Sequence, residues 1–476
     1  MNQRRPNLIY LFADQWRRQA AGYAKEDPVY TPNIDQFALE SMTFPQAVTC
    51  NPLCSPHRAS LLTGKYPMST GVYTNCKVGA DVMLKPEERC ISDVLKESGY
   101  ATGYIGKWHL DLPELQYQSQ PESGASGWDA YTPPGPKRHG FDEWYSYGAW
   151  DDHLSPHYWQ DSPEKIKPNQ WSVEHETDKA IEFINSRNPD EPFALFVSWN
   201  PPHSPFDQVP KQYKDVYKQQ SLPLRKNVTS DSFKVHTGEE VGGGLEELQE
   251  NQKNYFAAIT GIDENFGRIL DVLRELQLEE DTIIVLTSDH GEMMGSHGLM
   301  AKHVWYEESI GIPFLIRWPG KIPAIATDSL LNTVDIMPTL LTLLGLPVPS
   351  QVEGTDLSPI LKGEKKELVN QSYLCAYPGR KEAIEQFRQS GMDNRAYGWR
   401  GIRTKNYMYV VHKGYSPRKK TVRMLYDLEK DPYQLEPEVI EIPHSHVIAQ
   451  KLEEKLALWL NRTNDPFNIN NEVKNI

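Results

Sequence analysis

The chain has 476 residues, a hydrophobic fraction of 39% and a formal net charge of −14. The acidic balance argues against a nucleic-acid-binding protein, which needs a basic face, although a few cations concentrated in one pocket can still bind a small anion. No apolar run approaches the roughly 18 residues that span a bilayer, so we predict no membrane span. The length fits about three domains or, equally well, one large α/β domain with a small one.

The first residues, MNQRRPNLIYLF, contain two arginines followed by an apolar run. That run is too short for the hydrophobic region of a secretory signal and fits a first strand better. The chain as given therefore predicts a cytoplasmic protein, or a periplasmic or secreted one if a signal has been removed.

Five short apolar runs, rich in β-branched and aromatic residues, predict buried parallel strands. They span Asn7–Ala13, Ala101–Gly106, Pro192–Trp199, Thr282–Ser288 and Pro313–Trp318. Helical patterns such as ISDVLKESG and ITGIDENFGRILDVLRELQ lie between them. Strands that alternate with helices predict an α/β fold, with a large, mainly parallel sheet flanked by helices.

The segment from Leu110 to Ser172 is dense in proline, glycine, serine and aromatic residues. It predicts long loops over the sheet, a usual place for substrate specificity. Most of its tryptophans fit packing, while one or two fit stacking on a sugar ring; the five are Trp128, Trp144, Trp150, Trp159 and Trp171. Residues Lys226–Glu250 predict another loop.

The pattern changes after about Lys365. WRGIRTKNYMYVVHK and TVRMLYDLEKDP alternate like antiparallel strands, and SHVIAQKLEEKLALWLNRT predicts an amphipathic helix. We therefore predict a large α/β domain over residues 1–365 and a smaller C-terminal α+β domain over residues 366–476.

Polar residues follow four of the predicted strands, at the point where each strand ends. The four endings are Asp14-Gln15, Lys107-Trp108-His109, Asn200-Pro201-Pro202-His203 and Asp289-His290. In open α/β sheets the ligand crevice lies beyond the carboxyl ends of the strands. Four such endings that can converge favour a functional site over four coincidences.

Two of these endings offer metal ligands. Asp14, Gln15 and Asp289 supply oxygens that suit Ca²⁺ or Mg²⁺, whereas the imidazole of His290 leaves Mn²⁺ or Zn²⁺ open. In the alternative interpretation Asp289 caps a helix and His290 is an ordinary surface residue.

The stretch TCNPLCSPHRASLLTG contains two of the five cysteines, Cys50 and Cys54. A disulfide, a metal site and an activated cysteine are three interpretations, and the absence of a second Cys/His pair at zinc-finger spacing weakens a structural zinc site. Cys54 comes at the start of a short helical pattern, where free N–H groups and the helix dipole favour an anion. Arg58, one turn further on, offers a guanidinium fork for an oxyanion, and a thiolate nucleophile also fits this placement.

Cys-x-Pro-x-Arg followed by ASLLTG resembles the signature of the formylglycine-dependent sulfatases, in the alkaline phosphatase superfamily. Other blocks resemble the family in the same order: PNLIYLFADQ, TPNIDQFALES, GYATGYIGKWHL, NPPHSPF, TSDHGEMMGSHG, YEESIGIPFLIRWPG and LYDLEKDP. Together they cover nearly the whole chain, so the resemblance is far more specific than the pentapeptide alone.

The resemblance implies an alkaline phosphatase-like fold and hydrolysis of sulfate monoesters. In this family a maturation enzyme oxidises the motif cysteine, so Cys54 would become Cα-formylglycine and, as its hydrate, the nucleophile. Asp14, Gln15, Asp289 and His290, together with position 54, would hold one divalent cation. Ca²⁺ is expected, ahead of Mn²⁺ or Mg²⁺.

The resemblance also implies roles for the cations and histidines. Arg58 would support the hydrate and its anion, and Lys107 and Lys302 would bind sulfate oxygens. His109 would assist the release of sulfate, and His203 would face the leaving group. Each has a plainer alternative, since lysines are usually solvated and either histidine can simply pack against its neighbours.

Gln15 and His290 depart from the Asp and Asn that many sulfatases carry there, and they resemble the branch of choline sulfatases and phosphonate monoester hydrolases. We predict a sulfatase that acts on a sulfated carbohydrate, because of the aromatic loops. One alternative is a phosphonate or phosphate ester hydrolase on the same scaffold. The other is a binding homologue without catalysis, against which the complete residue set argues.

Overall fold

The computed structural model describes residues 5–417 and 420–469. The strands, in chain order, are β1 (Asn7–Ala13), β2 (Met42–Thr43), β3 (Ala47–Val48), β4 (Ala101–Lys107), β5 (Glu143–Tyr147), β6 (Phe193–Trp199), β7 (Phe233–Lys234), β8 (Glu240–Val241), β9 (Thr282–Ser288), β10 (Phe314–Arg317), β11 (Leu331–Asn332), β12 (Gln371–Ala376), β13 (Gly398–Thr404), β14 (Tyr407–Gly414), β15 (Val422–Asp427) and β16 (Glu438–Val439). The α-helices are α1 (Pro32–Leu39), α2 (Cys54–Thr63), α3 (Pro67–Thr70), α4 (Ile91–Glu97), α5 (Ser172–Asn185), α6 (Lys211–Tyr217), α7 (Leu245–Glu275), α8 (Glu307–Ile310), α9 (Thr333–Leu343), α10 (Ser358–Leu361), α11 (Lys381–Gln389) and α12 (Val447–Arg462).

The large sheet has the strand order β2-β10-β9-β1-β6-β4-β5. Its central strands β9, β1, β6 and β4 run parallel, and β5 extends the sheet parallel to β4. Ala13, the last residue of β1, lies opposite Trp199 of β6 and Ser288 of β9. Because the register is matched, the residues that follow these strands leave the sheet at the same level.

Helices cover both faces of this sheet, as the side chains of β1 illustrate. Ile9 and Leu11 are buried in a core shared with residues of α1, α5 and α7. Leu8 and Tyr10, which point to the other face, are buried in a second core with residues of α2, α4 and α9. The strand is apolar on both faces because it lies between two helical layers.

The predicted strands are all present, but one runs in the opposite direction. The strand predicted over Pro313–Trp318 is β10, which pairs antiparallel with β9, so its assignment as a parallel strand was wrong. Residues 289–313 stay at the carboxyl end of the sheet and return the chain into it from that end. Apolar composition alone does not distinguish the two directions.

Two segments predicted as loops contain regular structure. The Leu110–Ser172 segment includes β5, whose aromatic residues pair with β4, and the Lys226–Glu250 segment includes the β7–β8 hairpin and the start of α7. Proline and glycine around these short elements hide their pattern. Long irregular connections still make up most of the first segment.

A five-stranded antiparallel sheet, β12-β13-β14-β15-β16, follows the large sheet, and α12 packs against it. The mainly parallel α/β fold with a C-terminal α+β unit is therefore confirmed, although the boundary between residues 365 and 366 stays a prediction. The two units make close contact, since the Cys375 N–H donates to the Cys50 carbonyl at 2.9 Å. Across residues 5–417 and 420–469, no helix is long and apolar enough to cross a membrane.

Candidate active site

The carboxyl ends of the parallel strands bring the predicted polar residues together. Asp14 follows β1, Lys107 ends β4, Asn200 follows β6 and Asp289 follows β9. All four are buried. Their side chains meet because the strands end in register, which is where the sequence predicted the site.

Cys54 is the first residue of α2, and every residue of this helix is buried. Its Sγ lies 3.6 Å from Oδ1 of Asp14 and 3.4 Å from Nε2 of His290. Burial and the charge of Asp14 raise the pKa of the Cys54 thiol to about 12. The sulfur therefore sits among polar groups at a helix N-terminus but is held as a neutral thiol.

Cys50 has different surroundings, although it is only four residues away. It is fully buried in an apolar cluster with Cys375 and Tyr377, and burial raises the pKa of its thiol well above the ordinary value. Both Cys50 and Cys54 are free thiols, so the disulfide interpretation of this stretch is wrong.

Asp14, Cys54, Asp289 and His290 form a group that could hold a metal ion. One donor atom from each lies within 4.8 Å of the others, and all four residues are buried. Burial and the charge of Asp14 raise the pKa of Asp289 to about 7. Two buried carboxylates that face each other fit a bound cation, which would compensate their charges.

Arg58 and Lys107 surround the acidic pair. Arg58 Nη2 lies 3.2 Å from Oδ2 of both Asp14 and Asp289, and Lys107 Nζ lies 2.7 Å from Asp14 Oδ2. Burial alone would raise the pKa of Asp14, but Lys107 and other nearby cations hold it well below its usual range. Lys107 also donates to Asn200 Oδ1 at 3.0 Å, which fixes its ammonium group at the strand end.

Gln15 connects the acidic pair to Lys302. Its amide nitrogen donates to Glu292 Oε2 at 2.6 Å, its amide oxygen accepts from Lys302, and its backbone N–H donates to Asp289. Gln15 adopts the left-handed backbone region with a φ of 66°, which is uncommon for a residue other than glycine and clusters at functional sites.

The two predicted histidines both line the same cavity. In the part of the chain that the structure describes, neither ring nitrogen of His109 has a hydrogen-bond partner, although the residue is 2% exposed. Nδ1 of His203 lies 2.7 Å from the Ser204 carbonyl and 3.5 Å from Oδ1 of Asp151. Burial and Lys302 lower the pKa of His203 to about 3, and Asp151 opposes this shift.

The cavity has a volume of about 710 Å³ and is built by both units of the fold. Cys54, Lys107, His109, His203 and Lys302 line it, and residues 379–382 from the C-terminal unit also face it. Asp14, Gln15, Asp289 and His290 lie behind these residues and are fully buried or nearly so. The structure thus brings every predicted site residue to one place.

Three polar residues of this network were not predicted as site residues. Asn200 was seen only as a strand ending, and Asp151 and Glu292 were not singled out. Glu292 accepts from the backbone N–H groups of Met294 and Ala301 as well as from Gln15. Glu292 could have been predicted because it is an acidic residue inside the block TSDHGEMMGSHG. No sequence pattern indicates Asp151.

The packing predicted for most of the five tryptophans is confirmed for three of them, while stacking on a sugar stays a prediction. Trp144, Trp159 and Trp171 are buried, whereas Trp128 is 47% exposed and lines the cavity. The Trp128 ring stacks on His109, with 6.2 Å between ring centroids. It is the aromatic surface that could meet a sugar ring.

Comparison with known proteins identifies the family of this chain. Residues 6–346 match the sulfatase family, and residues 295–462 match the C-terminal region of N-sulphoglucosamine sulphohydrolase. An endo-4-O-sulfatase of Bacteroides thetaiotaomicron is 37% identical, with 97% of this chain and 93% of the relative covered. An ulvan-active sulfatase of Formosa agariphila is 36% identical, covering 97% of this chain and 82% of the relative.

A solved structure from work on glycosaminoglycan metabolism by Bacteroides thetaiotaomicron has the same fold. Its TM-score is 0.83 at 36% identity, and the match covers 97% of both chains. Sulfatases typically use a formylglycine and a divalent cation, and the group around Cys54 is a possible metal site. The fold, the matched regions and the relatives agree, and the chain therefore belongs to the sulfatase family and is a hydrolase of sulfuric esters.

Proposed function

We propose that this sulfatase hydrolyses a sulfate monoester of a carbohydrate, with Cys54 converted to formylglycine and one divalent cation bound beside it. The observation that carries the proposal is the approach of Cys54, at the start of α2, to the buried pair Asp14 and Asp289. The exposed ring of Trp128 supports a carbohydrate substrate, and so does the similarity to an endo-4-O-sulfatase and an ulvan-active sulfatase.

The cation would be held by Asp14, Asp289 and His290, together with the oxygen that replaces the sulfur of Cys54. Gln15 is the further candidate ligand, although its amide oxygen also accepts from Lys302. An oxygen-rich set favours Ca²⁺, ahead of Mn²⁺ or Mg²⁺. When bound, the cation would act as a Lewis acid that compensates negative charge during transfer of the sulfuryl group.

Lys107 and Lys302 would bind the sulfate oxygens, because both ammonium groups line the cavity next to Cys54. Burial alone would lower the pKa of Lys107, but Asp14 raises it, so this lysine stays charged. Arg58 would stabilise the anionic oxygen at position 54 through its place between the two carboxylates. Charges that are already oriented in a water-poor site are an effective way to stabilise a transition state.

His203 would donate a proton to the departing sugar alcohol, and His109 would accept one as sulfate is released. The contacts of Nδ1 with Ser204 and Asp151 leave Nε2 of His203 for the leaving group. Burial and the positive charge of Lys302 lower the pKa of His203 in the free enzyme, and a bound sulfate ester would offset the charge of Lys302. Among the described residues the ring nitrogens of His109 have no partner, which supports a role that needs a substrate or product as partner.

The maturation enzyme would be a transient partner of this chain. Cys54 is only 2% exposed in the fold, so an enzyme that oxidises it needs the segment in an accessible form. We therefore propose that conversion precedes folding of the region around α2.

Rates on a panel of matched esters test the proposal. Matured enzyme should hydrolyse sulfated mono- or disaccharides with a higher kcat/KM than phosphonate monoesters or phosphate diesters, and Cys54→Ala should be inactive on all of them. Faster turnover of the phosphorus esters would favour the phosphonate or phosphate hydrolase alternative. Tight binding of sulfated sugars with no turnover by matured protein would favour the binding homologue.

A further inference from the structure

Lys77, Arg380 and Lys381 line one part of the cavity. Their positive charge has no role in the proposed transfer of the sulfuryl group. We infer that Lys77, Arg380 and Lys381 form a second anion-binding subsite, which takes a carboxylate or sulfate on the sugar unit next to the one that carries the scissile ester. This inference rests on the proposed carbohydrate substrate and adds a requirement for charge on its neighbouring unit.

Lys77 is the central residue of the second subsite. It is 9% exposed and lines the cavity, and its Nζ lies 4.9 Å from the centroid of the Trp128 ring. Burial and the charge of Arg380 lower the pKa of Lys77 to about 8, and the carboxylate of Glu382 opposes this shift only in part. A nearly buried ammonium whose charge is only partly compensated is costly, and an anion in the cavity would supply further compensation.

Two hydrogen bonds hold the segment that carries Lys77 close to Cys54. The Ser55 N–H donates to Oδ1 of Asn75 at 3.1 Å, and the Cys76 N–H donates to Oγ of Ser55 at 3.1 Å. The residue after Cys54 is thus bonded to the segment that carries Lys77. One ligand in this cavity can therefore contact both Cys54 and Lys77.

Arg380 and Lys381 come from the C-terminal unit, at the start of α11. Their loop approaches the cavity because Gly379 has no side chain: a Cβ there would lie 1.8 Å from Oγ1 of Thr74. The carbons of Lys381 pack over Gly79, where an added Cβ would lie 2.9 Å from Lys381 Cδ. This close packing brings Arg380 and Lys381 to the cavity that Lys77 also lines.

Two carboxylates lie near these cations and reduce the net charge. Glu239 pairs with Arg380, and Glu382 lines the cavity. The Arg380–Glu239 pair is partly exposed, so solvent screens it and it does not remove the attraction for an anion. Lys77 is the most buried of the three cations, which makes it the residue to test.

A pair of histidines, of which His303 is buried and His236 is half-buried, offers a polar contact to a ligand in the same cavity. His303 and His236 both line it, and Nδ1 of His303 lies 3.1 Å from Nε2 of His236. In the described ranges, Nε2 of His303 has no hydrogen-bond partner although the residue is 3% exposed. A hydroxyl or an anionic oxygen of a ligand would satisfy it.

Trp128 contacts both His109 and Lys77. Its ring stacks on His109 and lies beneath the ammonium group of Lys77. A sugar ring placed on Trp128 would therefore have substituents near both the sulfate-binding residues and the second subsite. The volume of about 710 Å³ lies within the usual range for ligands much larger than a sulfate ion.

The test uses three disaccharides with the same scissile sulfate ester and a neighbouring unit that is neutral, carboxylated or sulfated. Wild type should prefer one of the anionic substrates, which identifies the anion. In Lys77→Met the anionic-to-neutral ratio of kcat/KM should fall about 10- to 100-fold, as expected for a lost charge-assisted hydrogen bond. The fall should appear mainly in KM, and Lys77→Arg should restore much of the preference.

Lys85→Met is the matched control, because Lys85 is exposed and lies outside the cavity, and its ratio should stay at the wild-type value. Arg380→Met should lower the ratio in the same direction. Equal losses on all three substrates, or an unchanged ratio in Lys77→Met, would overturn the second subsite and leave the proposed function standing. Failure of matured wild type on every sugar ester, with turnover of an aryl sulfate, would contradict the proposed function and the subsite together.

Discussion

Nε2 of His290 lies 3.4 Å from Sγ of Cys54, although 236 positions separate the two residues in the chain. The same nitrogen is 3.6 Å from Asp14 Oδ1 and 3.5 Å from Asp289 Oδ1. The contact arises because α2 begins directly above the ends of β1 and β9. The residue proposed for conversion and the ligands proposed for the cation therefore form one centre, and changing either should affect the other.

Removal of the cation should abolish turnover, and Ca²⁺ should restore it better than Zn²⁺, because the ligand set is rich in oxygen. Asp289→Asn removes one carboxylate and should lower both the calcium content of the purified protein and its activity. Elemental analysis and assays after chelation measure the two effects. Asp281→Asn, at an exposed position before β9, is the control. Full activity in metal-free protein would contradict this assignment.

Replacement of His203 should have an effect that depends on the leaving group. A sugar alcohol needs a proton as it departs, whereas nitrophenol leaves readily without one. His203→Ala should therefore lower kcat on sugar sulfates by about 10²–10⁴-fold and lower it far less on nitrophenyl sulfate. The exposed His444→Ala serves as control. Equal losses on both substrate types would show that His203 only positions the substrate.

Replacement of Cys50 should mainly affect stability, whereas replacement of Cys54 should mainly affect activity. Cys50→Ser places a hydroxyl in an apolar cluster and should lower the melting temperature while much of the activity remains. Cys54→Ser should keep the fold and lose nearly all activity, unless the host has a maturase that oxidises serine. Thermal unfolding and sulfatase assays on the same preparations check both halves. The reverse pattern would mean that Cys50 is the functional cysteine.

Glu307 should stabilise the contact between the two units in a pH-dependent way. Its carboxylate lies 3.0 Å from Arg18 and 3.2 Å from Arg403. Burial alone would raise the pKa of Glu307, but Arg403 and Arg18 outweigh it and lower the pKa from 4.5 to about 2. The folded-state pKa is the lower one, so the stabilisation is complete above pH 4.5 and disappears as the pH falls through about 2.

Glu307→Gln should therefore lower the free energy of unfolding by about 3 kcal/mol at neutral pH, because it removes the carboxylate from the buried Arg403 and the half-buried Arg18. The difference from wild type should shrink as the pH falls from 4.5 toward 2. Tryptophan fluorescence during urea unfolding, at pH 7 and at acidic pH, measures it. The exposed Glu87→Gln should match wild type throughout. A penalty that does not change with pH would show that the ion pair is not its source.

The sequence predicted the centre of this site better than its surroundings. Apolar runs that each end in a polar residue must bring those residues to one edge of a parallel sheet, so Asp14, Lys107 and Asp289 could be assigned before any contact was known. Asp151 and Lys77 could not. Each becomes significant only through tertiary contacts, with His203 in one case and Trp128 in the other.

The fold shows the same division between local pattern and tertiary context. The bounds of β1 and β9 were predicted to the residue, because continuous apolar runs mark strands buried on both faces. The direction of β10 depends on where residues 289–313 travel, which no local pattern records. The approach of residues 379–382 to the cavity likewise depends on the packing of Gly379 against Thr74.

Peptide mass spectrometry of active enzyme tests the central claim most directly. The account predicts an aldehyde or its hydrate at position 54 and an unmodified thiol at position 50 in the same peptide. Protein made without a maturation enzyme should carry a thiol at position 54, be folded and be nearly inactive. If purified protein with an unoxidised Cys54 turned over sulfate esters at full rate, the formylglycine mechanism would be wrong, and a thiolate or a metal-bound water would have to replace it.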